Sequence, residues 1–281
     1  MEGIVFIAVI AAALLHATWN AFLKGGSDKT LGMGAIVVGH IPAALLALLF
    51  VPAPAAESFP YLVTGILLHF GYQLFLLKSY QIGDLTLVYP IARGSAPLIV
   101  ALVSLGLLGV ELSGLELLAI LIIGTGITSL SLVRHGDGMQ NGKAALVALA
   151  TGTFIAAYSL VDGLGARLAG TSLGFYSWLA IGNALLMIVY LAVRSPRTLY
   201  AIPREGLPML ILGSNTAFAA YALVTWAFTQ APIASVTALR ETSIVFALLI
   251  GVFVLKERFS LLKVVATMTT LLGAILLRVS G

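Results

Sequence analysis

The chain has 281 residues, of which 60% are hydrophobic and only 9% are charged, and its mean hydropathy is +1.09. A soluble protein carries about 25% charged residues, so this composition excludes a water-soluble fold and indicates an integral membrane protein. The formal net charge is +4, and the chain contains no cysteine, which excludes disulfides and thiol sites.

Apolar segments of about 20 residues predict membrane spans, because a helix rises about 1.5 Å per residue and the hydrocarbon core is about 30 Å thick. The chain begins MEGIVFIAVI, with no Lys or Arg before the apolar run, so we interpret this segment as a first span and not a signal peptide. The predicted fold class is an all-α integral membrane protein with ten transmembrane helices. The predicted spans are residues 3–23, 31–51, 59–80, 84–108, 113–133, 143–163, 172–194, 207–229, 232–254 and 260–279.

Lysine and arginine are distributed unevenly between the two sides of these spans. Eleven lie in the connections on one side and two, Arg167 and Arg278, on the other. Because basic loops stay in the cytoplasm, this bias predicts a multi-pass protein of the plasma (inner) membrane with both termini outside the cytoplasm. The eleven residues are Lys24, Lys29, Lys78, Arg134, Lys143, Arg194, Arg197, Arg204, Lys256, Arg258 and Lys263.

Reporter fusions test this orientation. We expect a reporter that is active only in the periplasm to be active when it is fused after Gly281, because an even number of spans leaves both termini on one side. A reporter that is active only in the cytoplasm should be active when it is inserted near Gly138. The opposite pattern at both positions would overturn the predicted orientation.

Two segments of similar pattern predict an internal repeat of five spans. YQIGDLTLVYPIARGSAPLIVALVSLGLLGVELS, from residue 80, aligns with FTQAPIASVTALRETSIVFALLIGVFVLKERFS, from residue 228, with a gap of two residues. Each segment contains an internal arginine and approaches its end with a glutamate, Glu111 or Glu257. The alternative interpretation is that any two apolar, glycine-rich spans align tolerably.

Because five is an odd number, the second copy would enter the membrane inverted relative to the first. Inverted repeats are typical of secondary transporters, whose substrate site lies near the membrane midplane between the repeats. The predicted organisation is a first repeat over residues 1–133, a connecting loop over 134–142 and a second repeat over 143–281.

Three motifs carry a resemblance to a known family: GVELS at 109–113, LKERFS at 255–260 and WNAFLK at 19–24. With them, essentially the whole chain resembles the drug/metabolite transporter superfamily in its ten-helix EamA-type form, and more narrowly the YddG-type exporters of aromatic and neutral amino acids. The resemblance implies a duplicated five-helix unit and export. Many members carry basic residues in the loop that is acidic here, so we take the orientation from this chain's own charges.

Polar side chains cluster on one face of the first and third spans. Polar groups are costly in lipid and tend to face the bundle interior or a cavity. The alternative is that they only form hydrogen bonds between packed helices. In the first span the cluster is His16, Trp19 and Asn20, and in the third it is His69, Tyr72, Gln73 and Tyr80.

The fourth span contains Tyr89 and Arg93 one turn apart, between Pro90 and Pro97. Each proline removes a backbone donor, so we expect this helix to bend or break and to expose carbonyl groups to protein, water or ligand.

The ninth span carries Thr237, Arg240 and Glu241 at the matching depth. Successive residues diverge by about 100° on a helix, so we expect that Arg240 and Glu241 do not face the same partner. The predicted counter-ion of Glu241 is Arg93, across the repeat axis. Two roles remain open: a buried pair that holds the halves together, and a spare positive charge that receives a substrate carboxylate.

Tyrosine and tryptophan side chains inside the spans favour an amphiphilic organic substrate, because they combine an apolar face with a polar group. An amino acid fits such a site, and so do other small metabolites. We therefore predict a carrier that exports amino acids or similar metabolites by alternating access; the alternative is proton-coupled efflux of drugs or other metabolites. The predicted substrate-binding residues are His16, Trp19, Asn20, His69, Tyr72, Gln73, Tyr80, Tyr89, Arg93, Tyr158, Asn183, Asn215, Tyr221, Arg240 and Glu241.

A membrane-embedded enzyme and a channel are rival classes. The sequence has no HExxH, CxxC, GxSxG or phosphate-binding loop motif, so we predict no catalytic residue, no metal and no cofactor. The pI of 9.4 fits basic loops against anionic lipid, so the expected partners are a small-molecule substrate and lipid, with no nucleic acid, and the expected state is a monomer.

Energy coupling is left open by the sequence. The groups able to exchange protons in or near the membrane are Glu241, Asp162, His16, His40 and His69. Asp162 lies near the end of its predicted span, so we interpret it as interfacial.

Overall fold

The structure, a computed structural model, describes residues 1–25, 28–82, 85–129, 142–253 and 261–280. The regular elements in those ranges are helices, which confirms the predicted all-α class. A 3-10 turn (Ala56–Ser58) precedes α4, and a π-helical segment (Met209–Gly213) precedes α10. The α-helices are α1 (Gly3–Gly25), α2 (Lys29–Val38), α3 (His40–Leu48), α4 (Phe59–Ile82), α5 (Leu85–Gly106), α6 (Gly114–Ser129), α7 (Gly142–Leu168), α8 (Ser172–Arg194), α9 (Pro196–Glu205), α10 (Ser214–Gln230), α11 (Ile233–Arg240), α12 (Ser243–Phe253) and α13 (Leu261–Ser280).

The predicted spans fall on these helices, and two of them are divided. Span 31–51 is formed by α2 and α3, which meet at Gly39, and span 232–254 by α11 and α12, which meet at residues 241–242. The number of ten crossings stays a prediction. Six helical segments of the described chain are long and apolar enough to cross a membrane: Gly3–Leu23, Lys29–Leu48, Ala56–Ser79, Ala145–Leu168, Ser172–Arg194 and Met209–Gln230.

Side chains at the helix starts explain where several helices begin. Asp28 accepts hydrogen bonds from the backbone N–H groups of Thr30 and Leu31, at 2.8 and 3.0 Å, and so caps α2. Ser113 and Glu116 bond reciprocally to each other's backbone N–H at the start of α6, which is a capping box. The acidic side chain of Glu116 therefore helps to fix the start of α6.

The outer surface of the bundle is apolar, as expected of helices in contact with lipid. Leu107 and Leu261 are each 82% exposed, and Val279 is 76% exposed. A soluble protein rarely exposes so much contiguous apolar area. The fold is that of a multi-pass membrane protein.

Helix pairs on the two sides of the central loop have matching partners. Helix α1 packs on α10 and α4 on α7, while α5 packs on α7 and α1 on α12. If α7 corresponds to α1, α10 to α4 and α12 to α5, exchanging the halves turns the pair α1–α10 into the pair α7–α4. It likewise turns the pair α5–α7 into the pair α12–α1. The division into two repeats stays a prediction, which this arrangement supports. The motif LKERFS at 255–260 lies outside the described residues.

Helix α5 runs without interruption past Pro90 and Pro97, so the predicted break is not there. A membrane-embedded helix tolerates proline, because neighbouring groups and small local adjustments satisfy the freed carbonyl. Gly152 of α7 lies against this helix: a Cβ atom built on Gly152 would lie 2.0 Å from Ser95 Oγ and 2.7 Å from the carbonyl oxygen of Ala92. The close packing of α5 on α7 therefore requires glycine at position 152.

Candidate functional site

A cavity of about 90 Å³ lies among α1, α2, α3, α4, α7, α8 and α10. Small-molecule sites usually enclose about 300–1,000 Å³, so an amino acid would have to widen this one. Eight of the predicted substrate-binding residues line it. They are His16, Trp19, His69, Tyr72, Gln73, Tyr158, Asn183 and Tyr221.

Other lining residues were absent from the predicted set. His40 and Tyr176 add polar groups to the wall, and Met33 and Leu179 add apolar surface. His40 begins α3 directly after the break at Gly39, so its position depends on how span 31–51 divides. Its Nε2 is buried and has no hydrogen-bond partner among the described residues.

A buried carboxylate lies behind the cavity wall. Asp162 is fully buried, and its Oδ2 accepts hydrogen bonds from His69 Nε2 at 2.7 Å and from the Tyr221 hydroxyl at 2.6 Å. His69 is stacked on Tyr158, with ring centroids 4.1 Å apart. The interpretation of Asp162 as interfacial is wrong, because α7 continues to Leu168, more than a turn past the predicted end at 163.

Two further hydrogen bonds organise the wall. Gln73 of α4 donates to Asn183 Oδ1 of α8 at 2.7 Å, which joins the two parts of the chain across the cavity. Trp19 Nε1 donates to His16 Nδ1 at 3.3 Å within α1.

Two of the predicted residues do not line the cavity. Asn20 donates to the carbonyl oxygen of His16 at 2.8 Å, so its amide is used within α1. Asn215 is exposed on the outer face of α10 and donates to the carbonyl oxygen of Ile211 at 2.7 Å. Both side-chain amides therefore donate to a backbone carbonyl group one turn earlier in the chain. The side chains of Tyr80 and Tyr89 lie outside the part of the chain whose side chains are described.

The remaining predicted residues form a separate charged cluster. Arg93 Nε lies 2.8 Å from Glu241 Oε2, which confirms the predicted pair, and Arg93 Nη2 lies 3.4 Å from Ser243 Oγ. Arg240 Nε lies 3.8 Å from the other carboxylate oxygen of Glu241. The expectation that Arg240 and Glu241 do not face one common partner stays a prediction. The two side chains contact each other where α11 ends at Arg240 and Glu241 lies in the turn before α12.

The charged cluster is close to the cavity. Arg93, Arg240 and Glu241 are each at most 3% exposed, and the two guanidinium charges interact electrostatically with His16 and Tyr158 of the cavity wall. Two cations and one carboxylate give this cluster a net charge of +1. Asp162 is a further buried carboxylate, behind the wall of the same cavity.

An apolar helical bundle that encloses an aromatic and polar cavity, with charges buried beside it, is the architecture of a membrane protein that handles small solutes. Residues 142–279 match the EamA-like transporter family, whose members transport small metabolites across membranes. The predicted family is therefore confirmed, whereas the narrower YddG-type resemblance stays a prediction.

The fold is shared by a solved structure described only as the crystal structure of a protein. The two align over 100% of both chains with a TM-score of 0.79 and 19% sequence identity, a similarity that shows the fold alone. In sequence, no curated protein matches the chain.

Proposed function

We propose that this EamA-like transporter is a carrier that moves small amphiphilic metabolites, among them aromatic and neutral amino acids, out of the cytoplasm by alternating access. The observation that supports this best is the internal cavity, whose wall combines tyrosine rings with hydrogen-bonding groups and lies near the buried cluster of Arg93, Arg240 and Glu241. The direction of transport rests on the family resemblance.

The aromatic wall suits the apolar body and the ammonium group of an amino acid. Tyr72, Tyr158, Tyr176 and Tyr221 all line the cavity, and Tyr158 and Tyr176 are at least nine-tenths buried. Tyrosine faces attract both apolar surface and ammonium groups, while the hydroxyls orient the ligand.

Arg240 is the better candidate to receive a substrate carboxylate. Arg93 is held by Glu241 at 2.8 Å and contacts Ser243, whereas Arg240 reaches Glu241 only at 3.8 Å. Nε and Nη2 of Arg240 have no hydrogen-bond partner among the described residues. Buried guanidinium donors require an acceptor, and a carboxylate fits their geometry. Opening of the cavity toward Arg240 would supply one.

The arrangement of the helices supports alternating access. The packing pairs of α1, α4, α5, α7, α10 and α12 exchange when the two halves are exchanged, as expected of repeats that rock around a central site. The breaks between α2 and α3 and between α11 and α12 provide points at which a span can change its angle.

Transport by the purified protein in liposomes tests this proposal. We expect saturable exchange of labelled L-phenylalanine or L-leucine. Arg240→Gln should weaken the apparent affinity for the amino acid by about 10- to 100-fold, since a hydrogen bond to a charged group contributes about 1.5–3 kcal/mol. The affinity for an analogue whose carboxylate is an amide should change little.

The matched control is Arg197→Gln, which makes the same chemical change on the exposed helix α9 and should transport like the wild type. Equal losses for the acid and the amide would contradict the role of Arg240. Absence of saturable exchange with every amino acid tested in the wild type would overturn the proposed substrate class.

A further inference from the structure

Asp162 links the two parts of the chain through a titratable side chain. It lies on α7, and its Oδ2 accepts from His69 Nε2 of α4 at 2.7 Å. The hydroxyl of Tyr221 on α10 donates to the same oxygen at 2.6 Å. His69 belongs to the first predicted repeat and Asp162 to the second, so this hydrogen bond crosses the interface that alternating access would rearrange.

His69 is the member of this pair that lines the cavity. The side chain of His69 is 13% exposed and lines the cavity, whereas Asp162 is fully buried behind it. Histidine is also the side chain that ordinarily gains and loses a proton between about pH 5 and pH 8. The pair is therefore open to proton exchange from whichever side the cavity faces.

The strength of the link depends on that proton. With the proton on His69, the imidazolium and the carboxylate form a neutral pair. Without it, Asp162 carries a buried negative charge that only two neutral donors stabilise, and its Oδ1 has no hydrogen-bond partner among the described residues. Oδ1 lies against α4, because a Cβ atom on Gly65 would be 2.5 Å from it. Proton binding therefore favours the conformation in which α4 and α7 are joined.

The groups around the pair do not replace this proton. The neighbouring rings on α4, α7, α8 and α10 are neutral tyrosines: Tyr72, Tyr158, Tyr176 and Tyr221. Other titratable or charged groups come from α3, α1, α5, α11 and the turn before α12. They are His40, His16, Arg93, Arg240 and Glu241.

Glu241 fits the role of proton carrier less well than the pair does. It is the shared counter-charge of Arg93 and Arg240, so a proton on Glu241 would leave two buried guanidinium groups unbalanced. A proton on His69 has the opposite effect and balances a buried carboxylate.

We infer that the His69–Asp162 pair binds the proton whose movement down a pH gradient drives transport. The inference rests on the proposed function as a carrier and names the ion that is coupled to the solute. In each cycle an imidazole nitrogen of His69 gains a proton from one side of the membrane and releases it to the other, and no other covalent bond changes.

Transport assays in proteoliposomes distinguish coupling to the proton gradient from exchange of the substrate. Wild-type protein should exchange labelled L-phenylalanine without a gradient and accumulate it when a pH gradient is applied. In Asp162→Asn we expect driven accumulation to fall about tenfold or more relative to exchange, which is the size of a typical coupling between two sites. The control is Asp28→Asn, an exposed helix cap where asparagine serves equally well, and it should keep the wild-type ratio.

The outcomes distinguish the two proposals. Exchange without any response to a pH gradient in the wild type would overturn the proton site and leave the carrier intact. If Asp162→Asn has the same ratio of accumulation to exchange as the wild type, the proton site is also overturned. Absence of exchange in the wild type would instead count against the proposed function.

Nitrogen NMR of histidine-labelled protein in detergent tests proton binding without any substrate. We expect one signal, missing in His69→Gln, to change with pH over the range used in the transport assay and to change differently in Asp162→Asn. A His69 signal that is constant over this range would overturn the inference, whatever the transport assay shows.

Discussion

Glu241→Gln is expected to lower the free energy of unfolding by about 3–5 kcal/mol, because it removes the carboxylate that contacts two buried guanidinium groups. The substitution keeps the shape of the side chain, so the loss comes from charge and not from packing. Among these three side chains the net charge rises from +1 to +2. Unfolding in mixed detergent micelles measures the change.

Arg93→Ala should cost less than Glu241→Gln, since Arg240 remains near the carboxylate and the net charge of the cluster falls to zero. Combining Arg93→Ala with Glu241→Ala should cost less than the sum of the single changes, because the pair is coupled. Glu205→Gln makes the same change as Glu241→Gln at an exposed position and should stay within about 0.5 kcal/mol of the wild type. A larger loss for Arg93→Ala than for Glu241→Gln would contradict this description of the cluster.

Gly152→Ala is expected to destabilise the protein by about 1–3 kcal/mol, as overpacking in a close-packed interior does. The added methyl group would lie 2.0 Å from Ser95 Oγ and 2.7 Å from the carbonyl oxygen of Ala92. The hydroxyl can rotate away, but the carbonyl belongs to the backbone of α5 and moves only with the helix. The free energy of unfolding measures this effect as well.

Two comparisons make the Gly152 experiment specific. Adding Ser95→Ala should recover only part of the loss, because the contact with Ala92 remains. Gly106→Ala, at the end of α5, meets nothing within 4 Å and should be neutral or slightly stabilising. Full recovery by Ser95→Ala would show that the two helix backbones can move apart without penalty.

The ion pair of Arg93 and Glu241 could be predicted because charges are rare inside spans. A buried charge needs a partner, and few were available. The contact of the third member, Arg240, with Glu241 was not predicted, since the prediction assumed one continuous helix across residues 240–242. The break between α11 and α12 carries a local contact, because the Thr242 hydroxyl donates to the carbonyl oxygen of Leu239 at 2.8 Å. Hydropathy does not reveal such a contact, so the break could not be predicted from it.

Asp162 was misplaced for a different reason. Hydropathy predicts where an apolar run stops, and the run stops at Asp162, but α7 continues to Leu168 because its last turns pack inside the bundle. The partners of Asp162 lie 93 and 59 positions away in the chain, on α4 and α10. Such contacts between distant positions depend on how the two halves of the chain pack against each other. Most of the cavity-lining residues on α1 and α4 could be predicted, because helical spacing alone places them on one face.

Trp19 gives the cavity an intrinsic optical signal. Its indole donates to His16 at 3.3 Å and lines the cavity, whereas Trp178 is 46% exposed on the outer face of α8. A solute entering the cavity would change the emission of Trp19, while quenchers carried on lipid tails would act first on Trp178. In a Trp226→Phe background, which keeps these two of the three tryptophans, fluorescence of the unlabelled protein can therefore report cavity occupation and lipid contact as two separable components.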